Sequence, residues 1–332
     1  MPIAVVDGNY LLHRCMRAGD LAQLRNRHDK PTGGVMGFLK SLRKILIEQQ
    51  VNVCTVVFDG GISQRRRALY PEYKGSKYRT PEDPLYEEPD PDPEKSQYRR
   101  DFSRQRTYLQ HVLPLLGTRV VRIVGWEADD LCYRIASKYH ERPGSVLLVS
   151  DDLDYVQAVN EWRSREPDVG DQYGSLSVLR PIHDEHITES NFRFLVGHDL
   201  SHHLLWRAIV GDGSDKIRGV EGVGKGWLRK IFDAYHGPTA YPFEEFIVWC
   251  FEHKTKTVRK IADQLDVVLR NYELMAFHLE PYPDGTASQV QNLLDAPVEA
   301  DIVKVKYYLT ELDLFSITDQ IHHWITPFQR LR

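Results

Sequence analysis

The sequence predicts a doubly wound α/β domain, a mainly parallel sheet flanked by helices, followed by a mostly helical region. Three observations predict it. Short apolar runs alternate with segments of helical apolar period over the first 150 residues. Most of these runs stop at an acidic residue. A glycine cluster at 211–226 then interrupts an otherwise helix-like stretch from 190 to 280.

Residues 3–7 (IAVVD) form the first strand. Segment 35–50 carries apolar positions at Val35, Phe38, Leu39, Leu42, Ile45 and Leu46, which fall on one helical face. Residues 53–59 are the second strand. A helix over 97–116, a strand at 118–124, a helix at 127–140 and a strand at 145–150 follow. Beyond a polar loop (160–175), a short strand lies near Leu176 to Leu179. These elements divide the chain into an α/β domain (1–190, with an insertion at about 60–106), a helical region (191–280), and a linker with a C-terminal tail (281–332). Gly and Pro in 281–297 mark the linker, and the tail has no assigned role.

Nine carboxylates fall in five clusters at the ends of these runs. They are Asp7 after IAVV, Asp59 after CTVVF, Glu127, Asp129 and Asp130 after VVRIVGW, Asp152 and Asp154 after VLLVS, and Asp212 and Asp215 after WRAIVG. Ligands of open α/β sheets gather at the carboxyl ends of the strands. Adjacent strands would therefore bring these acids to one patch, where packed like charges need cations. Hard divalent ions, Mg²⁺ or Mn²⁺, suit an all-oxygen site. Singly, each acid has an ordinary explanation as a helix cap, a turn residue or a first-turn acid. Five such coincidences without nearby bases make the joint ordinary explanation weak.

Composition agrees. The formal charge over 332 residues is −4, but with the nine clustered acids set aside, 43 basic residues face 38 acidic ones. An acidic pocket on an otherwise basic protein suits a metal-dependent phosphodiester enzyme. Cys15, Cys54, Cys132 and Cys250 show no paired spacing and read as reduced core thiols. No segment approaches the ~18 consecutive apolar residues of a membrane span, and no leader opens the chain, so a cytoplasmic location is expected.

The insertion has unusual composition. Residues 62–80 hold six basic residues (Arg65, Arg66, Arg67, Lys74, Lys77, Arg79) against Glu72. Residues 81–94 hold five prolines and seven acids with no base, and 95–106 restores five bases against Asp101. The prolines forbid a continuous helix through this stretch. Bases alternating with Tyr70, Tyr73 and Tyr78 have the composition of a single-strand nucleic-acid channel. The stretch GDGSDKIRGVEGVGKGWLRKIF (211–232) resembles a helix–hairpin–helix. There Gly222 and Gly224 can bring backbone N–H groups to a phosphate, and Lys225, Arg229 and Lys230 add counter-charge without reading bases.

Taken in order, VVDGNYLLHR, FDGG, Arg66 to YPEYKG, GWEADD, SDDLDYVQ and GDGSDKIRGVEGVGKG resemble the flap endonuclease/5′-nuclease family. That family includes the 5′→3′ exonuclease domains of bacterial DNA polymerase I and phage RNase H-type enzymes. The likeness covers roughly residues 3–280, with NYELM (271–275) similar to a further family helix. It implies a PIN-like, Rossmann-like sheet with a helix–hairpin–helix (H3TH) subdomain and an arch over the active site at residues 60–106. It implies a structure-specific phosphodiesterase (EC 3.1.-) using two metal ions, which leaves 5′-phosphate and 3′-hydroxyl ends. Asp7, Asp59, Glu127, Asp129 and Asp152 resemble the first-metal ligands; Asp154, Asp212 and Asp215 resemble the second, with Asp130 between. Lys74 and Arg66 would contact the scissile region, and Tyr73 would stack on a base beside the cut. Arg65, Arg67 and Lys77 would join Gly222, Gly224, Lys225, Arg229 and Lys230 in gripping DNA. The cofactors implied are two Mg²⁺, with Mn²⁺ as substitute, and K⁺ at the hairpin. The substrates implied are branched, nicked or RNA-primed DNA with a 5′ end. Replication proteins such as a single-strand-binding protein or sliding clamp are the implied partners, in a bacterial or phage-infected cell. Lys216, Ile217, Arg218 and Gly219 stand where the family often has Asn-Ile-Pro-Gly, and Trp126 where a smaller residue is usual. A DNA-binding accessory protein with a vestigial site is the alternative, and intact carboxylates argue against it.

Overall fold

The computed structural model describes residues 2–75, 92–140, 144–165, 175–237, 243–253, 255–281 and 285–331. Its main sheet has β1 (Ile3–Asp7), β2 (Val53–Val57), β3 (Arg119–Val121), β4 (Val146–Val149), β5 (Leu176–Arg180) and β6 (Glu185–Ile187) in the order β3-β2-β1-β4-β5-β6. All neighbours are parallel except β5 and β6. Ile3 pairs with Val53 on one side and Val146 on the other, so strand order reverses at β1. A crevice at such a switch point is where open α/β sheets take ligands. The strands are short β-branched runs, and the central β1 and β4 are buried along their whole length, as parallel strands covered on both faces must be.

Helices α1 (Gly8–Met16), α2 (Gly33–Glu48) and α4 (Pro93–Leu115) cover one face, after the short α3 (Gln64–Leu69). Asp7 caps α1 by accepting from Tyr10 N at 2.9 Å. In α2, Val35, Phe38, Leu39, Leu42, Ile45 and Leu46 are buried, as their period predicts. Helices α5 (Ala128–His140) and α6 (Val156–Arg165) cover the other face. Helix α4 begins at Pro93, the last proline of the acidic segment, where a missing N–H costs nothing.

The chain continues as α7 (Glu189–Val196), α8 (His203–Val210), a two-stranded ribbon of β7 (Gly211–Asp212) and β8 (Ile217–Arg218), then α9 (Lys225–Ala234), α10 (Glu244–Glu252), α11 (Lys256–Ala262) and α12 (Leu265–Met275). Helices α8 to α12 enclose a third apolar core around Trp206, Leu228, Phe232, Phe246 and Tyr272. A small cluster of Ile62, Tyr73, Ile217, Leu274 and Met275 fastens the start of the insertion to this region.

Two sequence expectations change. Strand β6 was not foreseen, because the polar HDEHIT carries no apolar run and forms only an antiparallel edge. The expected linker contains α13 (Thr286–Asp295), whose Val290 and Leu294 enter the second core. The tail forms α14 (Ile302–Glu311), α15 (Phe315–Thr318) and α16 (Ile321–Trp324). Val305, Leu309, Ile317, Ile321, Trp324 and Phe328 pack into the first core beside α2 and α4. Among the described residues, no helix is long and apolar enough to cross a membrane.

Candidate active site

Parallel strands ending side by side carry Asp7, Asp59 and Asp152 to the carboxyl end of the sheet, and Asp129 joins them from the first turn of α5. Gly60 makes the close approach there: a Cβ on it would lie 1.7 Å from Ile123 O. Asp7 is buried; its Oδ2 accepts from Ser150 Oγ at 3.4 Å and Tyr155 OH at 3.3 Å. The same hydroxyl lies 3.0 Å from Asp129 Oδ1. Asp59 accepts from Asn9 Nδ2 at 2.5 Å and Ala128 N at 2.7 Å, and Asp152 from Asp154 N at 2.8 Å.

Among the described residues, these four acids make hydrogen bonds to neutral groups alone. Burial, followed by the charge of Asp59, pushes Asp7 up to about 7. Asp152, open to solvent on one side, rises to about 7 through partial desolvation and the charge of Asp154. Burial raises Asp129 well above its ordinary value; Lys74 opposes this, while Asp7, Asp152 and Asp59 add to it. Burial and mutual repulsion hold back the charge of Asp7, Asp129 and Asp152 beside Asp59, and an all-oxygen group of this kind fits a hard divalent cation. Among the described residues, no three Asp, Glu, His or Cys side chains already close on a common point as a cage. Direct ligation would need their side chains to turn inward, whereas ligation through water would not.

The remaining acids carry their own cations. Lys74, at φ 56°, donates its backbone N–H to Asp215 O at 2.9 Å. Its ammonium contacts Glu127 Oε2 and lies 3.8 Å from Asp215 Oδ2. Glu127 also accepts from Ser63 N at 2.9 Å and Tyr73 OH at 3.0 Å. Burial alone would raise its carboxyl, but Lys74 and Arg66 bring it down to about 2. Arg207 binds Asp154 through Nε at 2.8 Å and Nη2 at 3.1 Å, and its Nη2 reaches Asp212 Oδ2 at 2.5 Å. Against the pull of burial, Ser214 and Arg207 hold Asp212 below its ordinary value. Arg207 was missed because WRAIVG reads as an apolar run, although an arginine five residues before Asp212 was its signal.

Several expected roles change with the geometry. Asp130 is fully buried, and both its oxygens accept from the buried Arg66 at 2.7 Å, so it is paired with a guanidinium in the interior. Arg66 is 2% exposed and also donates from Nε to Leu274 O at 2.7 Å, so it faces the interior and not a scissile phosphate. Tyr73 is buried among Ile62, Ile217, Leu274 and Met275 and cannot stack on a base. Tyr70 already carries the Arg270 guanidinium over its ring at 4.5 Å. Arg65 is tied to Glu280 Oε2 at 2.9 Å and to Glu273 O at 2.8 Å, and Arg67 is half-buried. Lys77 and Tyr78, with most of the acidic proline-rich segment, lie outside the described residues.

The hairpin region is different. Gly222 takes φ 73°, and Gly224 caps α9 with no side chain in the way. Lys225, Arg229 and Lys230 are exposed, and the Lys230 ammonium sits 4.8 Å from the centre of the exposed Trp227 ring. Ile217, in the departing Lys216–Gly219 segment, is buried in the small cluster, while Trp126 is buried in the second core. His198 and His203 form a packed group: His198 Nε2 lies 3.1 Å from His203 Nδ1, and His198 stacks on Trp206.

A family model described as the 5′-3′ exonuclease N-terminal, resolvase-like domain matches residues 2–170. A 5′-3′ exonuclease of Aquifex aeolicus is 26% identical over 231 residues, 70% of this chain and 68% of that one. The thermostable DNA polymerase I of Thermus thermophilus is 28% identical over 242 residues, 69% of this chain but 23% of the polymerase. The chain thus spans under a quarter of the polymerase relative's length. In fold it is similar to the phage T5 D15 protein co-crystallised with metal ions (TM-score 0.60, 18% identity, 98% of this chain and 99% of that one). It is similar too to flap endonuclease-1 from Methanococcus jannaschii (TM-score 0.53, 13% identity, 98% and 91%). By a family match that covers half its length, the chain belongs to the 5′-3′ exonuclease family, with that family's resolvase-like N-terminal domain.

Proposed function

We propose that this chain is a divalent-metal-dependent 5′ nuclease that hydrolyses phosphodiester bonds in branched, nicked or RNA-primed DNA bearing a 5′ end. The observation that carries this reading is the group Asp7, Asp59, Asp129 and Asp152, four acids with no hydrogen-bonded cation among the described residues, at the switch point of the sheet. Mg²⁺ is the expected ion, with Mn²⁺ as substitute. Bound there and at the neighbouring acids, two such ions would lower the pKa of an attacking water and offset charge on the entering and leaving oxygens.

The chain's own residues supply the rest. Against the cost of burial, Glu127 and Asp215 keep the Lys74 ammonium charged at the rim of the acidic group. From there Lys74 would neutralise charge on the scissile phosphate. Arg66, Asp130 and the Leu274 carbonyl fix the foot of the insertion to α12 and so position Lys74. The Gly222 to Gly224 turn, the start of α9 and Lys225, Arg229 and Lys230 would hold duplex phosphates without reading sequence, with K⁺ able to bridge the turn to the backbone. Recruitment by a single-strand-binding protein or sliding clamp in the cytoplasm completes the reading.

The test is cleavage of a defined set of substrates: 5′ flap, nicked duplex, single strand and RNA–DNA hybrid. Cutting should require Mg²⁺ or Mn²⁺, stop with chelator and leave 5′-phosphates. Metal-independent cutting would remove the metal site. DNA binding without any cleavage would favour the accessory protein.

A further inference from the structure

We infer that Arg207 is a built-in counter-cation that keeps one end of the acidic site from loading a divalent ion until a phosphodiester arrives. This rests on the nuclease reading above and concerns a residue that the reading does not itself require.

The geometry is specific. From α8, the planar guanidinium places two donors on Asp154 and one on Asp212, at 2.5 to 3.1 Å. Such charge-assisted forks are among the stronger polar contacts in proteins, and arginine does not shed its proton. The second oxygen of Asp212 is taken by Ser214 N at 2.7 Å and by its hydroxyl. Asp154 and Asp212 are therefore nearly satisfied as they stand. Among the described residues, Asp7, Asp59, Asp129 and Asp152 hydrogen-bond only neutral donors.

Two divalent ions on this site cannot then bind alike. An ion among the four acids that hydrogen-bond no cation among the described residues relieves repulsion. An ion drawing on Asp154 and Asp212 must first break three bonds to a fixed positive charge. Once displaced, the guanidinium needs another anion, and phosphate oxygens suit its fork. A bound phosphodiester provides that anion, so substrate and second ion should favour each other, with reciprocal coupling. Arg207 acts in this as a positioning residue. Lys74 gives Glu127 and Asp215 a second, weaker version of the arrangement, through one contact and one 3.8 Å approach.

The experiment is Mn²⁺ binding to the full chain, followed by calorimetry and by the paramagnetic resonance of free Mn²⁺, with and without a non-cleavable phosphorothioate flap duplex. Wild type should bind one ion tightly and a second at least tenfold more weakly, and the duplex should tighten the second at least tenfold. In Arg207→Gln the second ion should bind at least tenfold more tightly without DNA, and the duplex should add little. Arg207→Lys, with its charge kept but its fork lost, should fall between them. An unchanged second affinity in Arg207→Gln would overturn the inference. So would a wild-type second ion indifferent to the duplex, a measurement that holds even if the variant does not fold. Wild type binding no Mn²⁺ at all would instead overturn the nuclease reading.

Discussion

The two halves of the acidic site are built on opposite principles. Asp7, Asp59, Asp129 and Asp152 crowd together with no hydrogen-bonded cation among the described residues, and Asp7 is pushed up to about 7 by burial and the charge of Asp59. Glu127 with Asp215, and Asp154 with Asp212, each share a resident cation, and Glu127 sits at about 2 despite burial. All are carboxylates within one site. Hydrogen-bonded compensation by a cation, not the number of acids, separates the two halves.

The largest effect expected from this contrast is on turnover. Asp129→Asn or Asp59→Asn should lower cleavage by on the order of 10³-fold, about 4 kcal/mol of barrier, while DNA binding stays near wild type. Chelator should act likewise. Wild-type turnover in either variant would break the contrast at its root.

Next in size is a stability effect without a metal effect. Asp130→Asn should destabilise the fold by ~3 kcal/mol, because it leaves Arg66 buried beside a neutral partner. Tight Mn²⁺ binding by the refolded variant should persist. Loss of that ion with stability unchanged would return Asp130 to the ligands.

The contrast sharpens through opposite signs. In chelator at pH 8, Asp7→Asn should stabilise the protein by on the order of 2 kcal/mol, since asparagine still caps α1 and a buried charge is gone. Asp154→Asn should destabilise it by ~1–2 kcal/mol by weakening the hold on Arg207. The folded carboxyl of Asp7 titrates above its unfolded value of 3.8, so its ionisation weakens folding as pH rises. The gain from Asp7→Asn should thus be absent below pH 3.8 and complete above about 7. Thermal melts across pH check both signs, and equal effects from the two variants would erase the distinction.

The smallest effect lies away from the chemistry. Lys225→Glu should weaken duplex binding a few-fold for any sequence and flatten its salt dependence by ~1 unit of slope, with little change in single-turnover rate. An unchanged slope would make the hairpin turn purely structural.

The parallel sheet was legible because buried parallel strands are continuous apolar runs, and β1, β2 and β4 have that form. The convergence of Asp7, Asp59 and Asp152 was legible for the same reason, since each closes a strand that lies beside another. What sequence could not show was which base meets which acid. Arg66 and Lys74 look alike in a basic stretch, yet the first is buried on Asp130 and the second reaches the rim. Tyr73 looked like a stacking ring, but its neighbours Ile217 and Leu274 come from 140 or more residues away and bury it. Helix α13 was hidden by flanking Gly and Pro, and the tail's place in the core depended on contacts with α2 and α4 that no local pattern encodes.

The most direct measurement is the anomalous scattering of Mn²⁺ in crystals of the full chain. The strongest peak should lie among Asp7, Asp59, Asp129 and Asp152, bound by their oxygens directly or through water, with Arg207 still on Asp154 and Asp212 in the absence of DNA. A strongest peak on Asp154 and Asp212, or none near the four acids while their side chains stay ordered, would contradict the account.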